Sequence, residues 1–207
     1  MTSIITGDLV NSRKIADSSI WRDPLKELLS TFGKPPEVWE IFRGDSFQLE
    51  VNQPEEALYK AIQIKACIKT IKGLDVRMAI GIGAKTFTAI NITASSGEVF
   101  IHSGEQFEQL KMKKQLLAFR SSWKEIDKEL NLIFRLTSLI MDKWSPSSAV
   151  LVALCLKNSS ISQQELGEKL EISQSSVSER LKRAQYEEII AVENFYRSII
   201  SKQINQL

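Results

Sequence analysis

The sequence has one histidine, two cysteines and little net charge of either sign. Each scarcity excludes something. With His102 as the sole histidine, neither a Ser-His-Asp triad nor a histidine-based zinc site is expected. Cys67 and Cys155 lie far apart without metal-ligand spacing, so they read as reduced, buried thiols. A formal net charge of +2 provides no global field toward nucleic acid or membrane. No run of about 18 apolar residues exists, so no membrane span is expected. The opening MTSIITGDLV carries an acid and lacks a basic start, so no signal peptide is expected either. These features suggest a cytoplasmic protein. What remains is ordinary: 207 residues, 43% hydrophobic and 25% charged, enough for one or two domains with a real core.

Patterning divides the chain in two. Residues 3–6 (SIIT) start an apolar strand that Gly7 and Asp8 are expected to end. Leu25, Leu28, Leu29 and Phe32 have helical spacing, and Gly33 with Pro35 and Pro36 stops that helix. Residues 38–42 and 47–51 form a hairpin, turning at Arg43, Gly44 and Asp45. Pro54 suits a first helical position, and Ala57, Ala61, Ile64, Ile68 and Ile71 mark one face of the helix that follows. DVRMAIGIG (75–83) is a strand whose small residues face a packed helix or a ligand. Residues 96–111 read as a helix and 116–119 as a last strand. This order predicts an α+β, ferredoxin-like or palm half with helices on one face of its sheet. The expected units are residues 1–122, a connector helix over 123–145, and an all-helical unit over 146–207.

The most specific motif is ISQQELGEKLEISQSSVSERLKRAQ, residues 161–185. Ser162 and Glu165 form a capping box. Leu166 and Leu170 face inward, Gly167 permits a close crossing, and Ile172 plugs the turn. Ser173 caps a second helix whose inner face is Val177, Leu181 and Ala184. This is the helix-turn-helix pattern. The outer face offers Gln174, Ser175, Ser176 and Ser178, suited to base edges and phosphates, with Lys182 and Arg183 suited to the backbone of double-stranded DNA. The same face would also serve as the solvated side of a structural hairpin. Residues 146–207 hold seven cations and seven anions, so a monomer would release few counterions. A homodimer reading two half-sites would double the contacts. The apolar residues of helix 186–204 (Ile189, Ile190, Val192, Phe195, Ile199 and Ile200) suit either a dimer contact or packing on the same chain.

Asp8, beside the first strand, and Asp45, in the hairpin, belong to neighbouring strands of a palm sheet. Such a carboxylate pair is the kind that magnesium and phosphoryl chemistry use. They also read as a strand-end cap and a turn residue. IITGDLVNSR (4–13) and FRGDSF (42–47) resemble the first strand and hairpin of class III nucleotide cyclases, and the hairpin also resembles that of GGDEF diguanylate cyclases. That resemblance implies Asp8 and Asp45 as metal carboxylates with the Leu9 carbonyl as a third ligand. It also implies a nucleotide or phosphate site at Asn11, Ser12, Arg13, Arg43 and Gly44, served by magnesium. The chain departs from working cyclases where Ser46 follows the hairpin aspartate and where no Asn/Arg pair follows RMAIGIG. Binding without turnover therefore stands beside catalysis, and no catalytic residue is assigned. The GDLVNSR start, the WEIFRGDSFQ hairpin, SGEVFIHSGE (96–105) and the helix-turn-helix together resemble the SatD family of bacterial proteins. The resemblance implies this architecture and a regulatory role; the residues then suggest a DNA-binding transcriptional regulator whose cyclase-like half senses a nucleotide or metal, with a magnesium-dependent nucleotide cyclase or related phosphoryl-transfer enzyme, or a protein–protein adaptor, as alternatives.

Overall fold

The computed structural model describes residues 1–206. In chain order its main elements are β1 (Thr2–Val10), α1 (Ser19–Ser30), β2 (Trp39–Phe42), β3 (Ser46–Val51), α2 (Ala57–Lys69), β4 (Asp75–Gly83), α3 (Glu98–Lys113), β5 (Leu117–Arg120), α4 (Lys124–Met141), α5 (Pro146–Lys157), α6 (Gln163–Leu170), α7 (Gln174–Ala184) and α8 (Tyr186–Ile204). The strands form one sheet in the order β2-β3-β1-β4-β5. β1 runs antiparallel to both β3 and β4, β2 and β3 form an antiparallel hairpin, and β5 joins parallel to β4. The fold is α+β with a mixed sheet.

β1 lies at the centre, and both Ile4 and Ile5 are fully buried although they point to opposite faces. That is why its sequence reads as an apolar run without alternation. The strand does not stop at Gly7 and Asp8 as its sequence suggests; it continues to Val10. Gly7 is a place for a neighbouring ring rather than a terminator. A Cβ there would sit 2.5 Å from Cζ of Phe47 and 2.9 Å from the Arg77 carbonyl oxygen.

The sheet is covered on both faces, which corrects the one-sided arrangement expected from the sequence. Leu9, Phe47, Leu49, Val76, Met78 and Ile80 meet Trp21, Leu25 and Leu29 of α1 and the apolar face of α2. The opposite face takes α3, whose Phe107 and Leu110 pack on Ala79 and Ala118. The small residues of β4 make this possible: a Cβ on Gly81 would fall 2.6 Å from the Val99 carbonyl oxygen and 2.5 Å from the Ser103 nitrogen.

The C-terminal helices close on the first face. Phe119 of β5, Phe134 of α4 and Tyr196 of α8 form an aromatic cluster with centroid separations of 5.9–6.3 Å. The Tyr196 hydroxyl donates to the Pro54 carbonyl at 2.8 Å. Helix α8 thus packs on its own chain through Ile189, Tyr196 and Ile200, leaving Phe195 44% exposed. Lys65, 2% exposed, is held by Asp75 at 2.5 Å and Asp142 at 2.6 Å, which ties α2 to β4 and to the end of α4. A buried cation needs such partners. No helix among the described residues is long and apolar enough to cross a membrane.

Candidate functional site

Two places answer to the candidate residues. The first is the end of β1 beside the β2–β3 turn. The register sets Asp8 opposite Ser46 on one side and Arg77 on the other, with Asp45 next to Ser46 in the turn. The Leu9 N–H donates to the Asp45 carbonyl at 3.2 Å, fixing the turn against the strand. The two aspartates are close enough that Asp45 raises the Asp8 pKa. The chief cause of that rise is burial, opposed mainly by Arg77.

Neighbouring groups already occupy these carboxylates. Arg77 Nε stands 3.3 Å from Asp8 Oδ1. This is a contact of charges rather than a well-aligned hydrogen bond, since neither atom has a hydrogen-bond partner among the described residues. The Ser12 hydroxyl donates to Asp45 Oδ2. Asn11, in the left-handed region at φ 68°, donates through Nδ2 to the Gly73 carbonyl at 3.2 Å. The Gly44 carbonyl accepts from Arg22 at 2.9 Å. Arg13 and Arg43 remain exposed, and Arg43 lines a shallow cavity of about 470 Å³ with Phe42, Gln48 and Thr93. The structure thus brings Asp8, Ser12 and Asp45 together and commits Asn11 elsewhere. Arg77 and Arg22 are partners that the motifs do not announce; only strand register reveals the first. The pair that the resemblance implies as metal carboxylates is thus engaged by neighbouring side chains. Among the described residues no third His, Cys, Asp or Glu joins it, and a guanidinium supplies the positive charge.

The second place is the α6–α7 pair. The Ser162 hydroxyl accepts from the Glu165 N–H at 3.1 Å, and Glu165 accepts in return from the Ser162 N–H at 2.7 Å. That backbone N–H is the first cause lowering the Glu165 pKa. Glu171 takes the left-handed conformation at φ 53° to end α6, and the Ile172 N–H returns to the Gly167 carbonyl at 3.0 Å. Gly167 is required at the crossing, because a Cβ there would meet the Ile172 oxygen at 2.7 Å. Ser173 caps α7 by accepting from the Ser176 N–H at 3.2 Å. Leu166 and Val177 bury against Leu151 and Cys155 of α5. Fully buried Ala184 accepts from the Trp144 indole at 2.9 Å.

With its inner face consumed, α7 leaves the opposite face uncovered. Gln174, Ser175, Lys182 and Arg183 are exposed, and Ser176 and Ser178 are half-buried. Gln174 is steadied by a 3.0 Å bond to Gln163 of α6. Arg183 makes only a loose contact with Glu179 at 3.5 Å, both widely exposed, so its guanidinium remains available to an outside anion. The six side chains that the sequence suggests as DNA contacts therefore lie along one accessible helix. Trp144, which fastens the last residue of α7 to the end of α4, is the contributor that the motif does not reveal.

The chain matches the family model described as SatD family over residues 3–191. No curated protein and no solved structure matches it.

Proposed function

This chain belongs to the SatD family, and from its own surfaces we propose that it is a DNA-binding transcriptional regulator. In this reading α6 and α7 form a helix-turn-helix, and Gln174, Ser175, Ser176, Ser178, Lys182 and Arg183 meet double-stranded DNA. The observation that carries the proposal is the uncovered row on α7. Its amides and hydroxyls are not used by the protein's own core, and two capped helices crossing at a required glycine hold it rigidly. Amides and hydroxyls near a helix N-terminus suit base edges and phosphate oxygens, and the cations further along suit the backbone.

The sheet half supports a palm-like sensing role. Its hairpin lies beside the first strand and brings Asp8 and Asp45 together, with Arg13 and Arg43 exposed nearby for phosphate. A bound nucleotide with magnesium would have to displace Arg77 from Asp8, which turns occupancy into a local rearrangement. The bond from Trp144, in the turn after α4, to Ala184 links that turn to the end of α7. A cyclase reading is weaker, because Arg77 and Ser12 engage the carboxylates that would ligate metal.

The test is footprinting on genomic fragments at physiological salt, with and without nucleotides. A protected operator, lost in Gln174→Ala/Arg183→Ala while the thermal midpoint is unchanged, supports the reading. Equal binding to operator fragments and random DNA, or none to either, retires it. A thermal-shift screen with nucleotides and divalent ions tests the sensing half, since a ligand of the folded state raises apparent stability.

A further inference from the structure

Helix α4 is apolar on two sides. Its inner side carries Leu130, Phe134 and Met141 into the core. Its outer side carries Leu132, Leu136 and Leu139, which are 50%, 54% and 59% exposed. A helix packed on one face of a monomer needs one apolar stripe, not two. The outer stripe has further order. Glu129, Leu132, Leu136, Leu139 and Lys143 follow one another at alternating steps of three and four, the spacing of a coiled-coil seam. All five are exposed; Lys143 lies in the turn just past the helix. Glu129 and Lys143 have no salt-bridge partner among the described residues. Beside the seam runs an apolar groove of about 470 Å³ between α4 and α8, lined by Ile133, Ile140, Val192 and Phe195 among others.

We propose that this seam is the contact of a two-fold homodimer in which α4 packs antiparallel against α4 of a second copy, crossing at Leu136. Charge order selects both the partner and the direction. The seam is acidic at its N-terminal end and basic at its C-terminal end. An antiparallel copy sets Glu129 against Lys143 twice, whereas a parallel copy stacks like charges at both ends. The stripe is also self-complementary. With Leu136 on the axis, Leu132 faces Ile140 of the second copy and Leu139 faces its Ile133, so each ridge enters the other's groove. An isologous contact needs this property. The contact lies on α4 with the edge of α8, not along α8 itself, whose Ile189, Tyr196 and Ile200 are buried in their own chain. The inference rests on packing and charge order and stands independently of DNA binding.

The experiment is sedimentation equilibrium of the full chain at tens of micromolar, in the absence of DNA. The expected mass is twice 23.4 kDa. Leu136→Glu should give the monomer mass with an unchanged circular dichroism spectrum, because the side chain contributes nothing to the core. Glu129→Lys and Lys143→Glu should each weaken dimerisation severalfold, and the double exchange should restore it. A monomeric wild-type chain, or a Leu136→Glu variant that stays dimeric, overturns the proposal. Single exchanges without effect overturn the antiparallel arrangement.

Discussion

The turn at Asp45 and the outer face of α7 are both polar, and both lie near the start or end of an element, yet they use their polar groups in opposite ways. At the turn, Ser12, Asn11, Arg22 and Arg77 reach inward and attach to the chain itself. At α7, Ser173 turns back to cap the helix, while Gln174, Ser175, Lys182 and Arg183 remain exposed. Recognition of an outside partner needs donors and acceptors left free, because a group already satisfied must first be released. In the proposed DNA-binding reading α7 presents exposed groups directly, whereas the carboxylate pair would first have to be released from Arg77. The contrast has a common basis in the main core, which takes in Phe47 beside the turn and Ala184 at the end of α7, while Val177 packs in a smaller cluster with Leu151, Cys155 and Leu166.

The largest expected effect tests that shared core. Tyr196 is fully buried between Phe119 and Phe134 and bonds the Pro54 carbonyl. Tyr196→Ala should lower unfolding free energy by about 3–5 kcal/mol in urea titration. Tyr196→Phe should lower it by about 1–3 kcal/mol, the cost of an acceptor left buried without its donor. If the sheet and the C-terminal helices instead unfold as separate units, Tyr196→Ala will cost little and two transitions will appear. That outcome would break the comparison, since the two surfaces would no longer share a frame.

Local signals are legible in the sequence, and long-range ones are not. The capping box, the plug at Ile172 and the inner face of Val177 and Ala184 can be read directly, because each depends on neighbours within a few residues. The hairpin is legible for the same reason. The second face of the sheet is legible only in part: the small residues of 75–83 announce a packed helix or a ligand, and only the fold shows that α3 takes this place against Ala79 and Gly81. The partner of Asp8 depends on the register of β1 with β4, strands distant in the chain and joined only through the fold. Trp144 has no local signal for its bond to Ala184, 40 residues on. The twofold apolarity of α4 is visible as a long leucine-rich pattern, but the direction each leucine faces is fixed only once α8 is in place.

A smaller effect sharpens the contrast on α7 itself. Ser173→Ala removes a cap and should cost about 1 kcal/mol of stability. Ser175→Ala, two residues on and exposed, should change stability by less than about 0.5 kcal/mol. DNA affinity should respond in a different order. Lys182→Ala or Arg183→Ala should leave the thermal midpoint in place while lowering the slope of log affinity against log salt by about 0.9 for each phosphate no longer neutralised. An unchanged slope in both would mean that these cations do not reach a backbone.

The smallest effect concerns Asp8. Burial is the leading cause of its raised pKa and outweighs the attraction of Arg77. A carboxyl whose folded pKa lies above its unfolded value favours folding most when protonated. Its unfavourable contribution is therefore present at neutral pH and disappears as pH falls through the raised folded value toward the ordinary aspartate range. Asp8→Asn carries no such titration. The stability of wild type relative to Asp8→Asn should accordingly improve on acidification from neutral pH, measured by urea unfolding of both proteins across that range. A flat difference would mean that Arg77 compensates fully for burial. A difference of opposite slope would mean that the ion pair dominates, and the carboxylate pair would then be locked more firmly than the contrast with α7 requires.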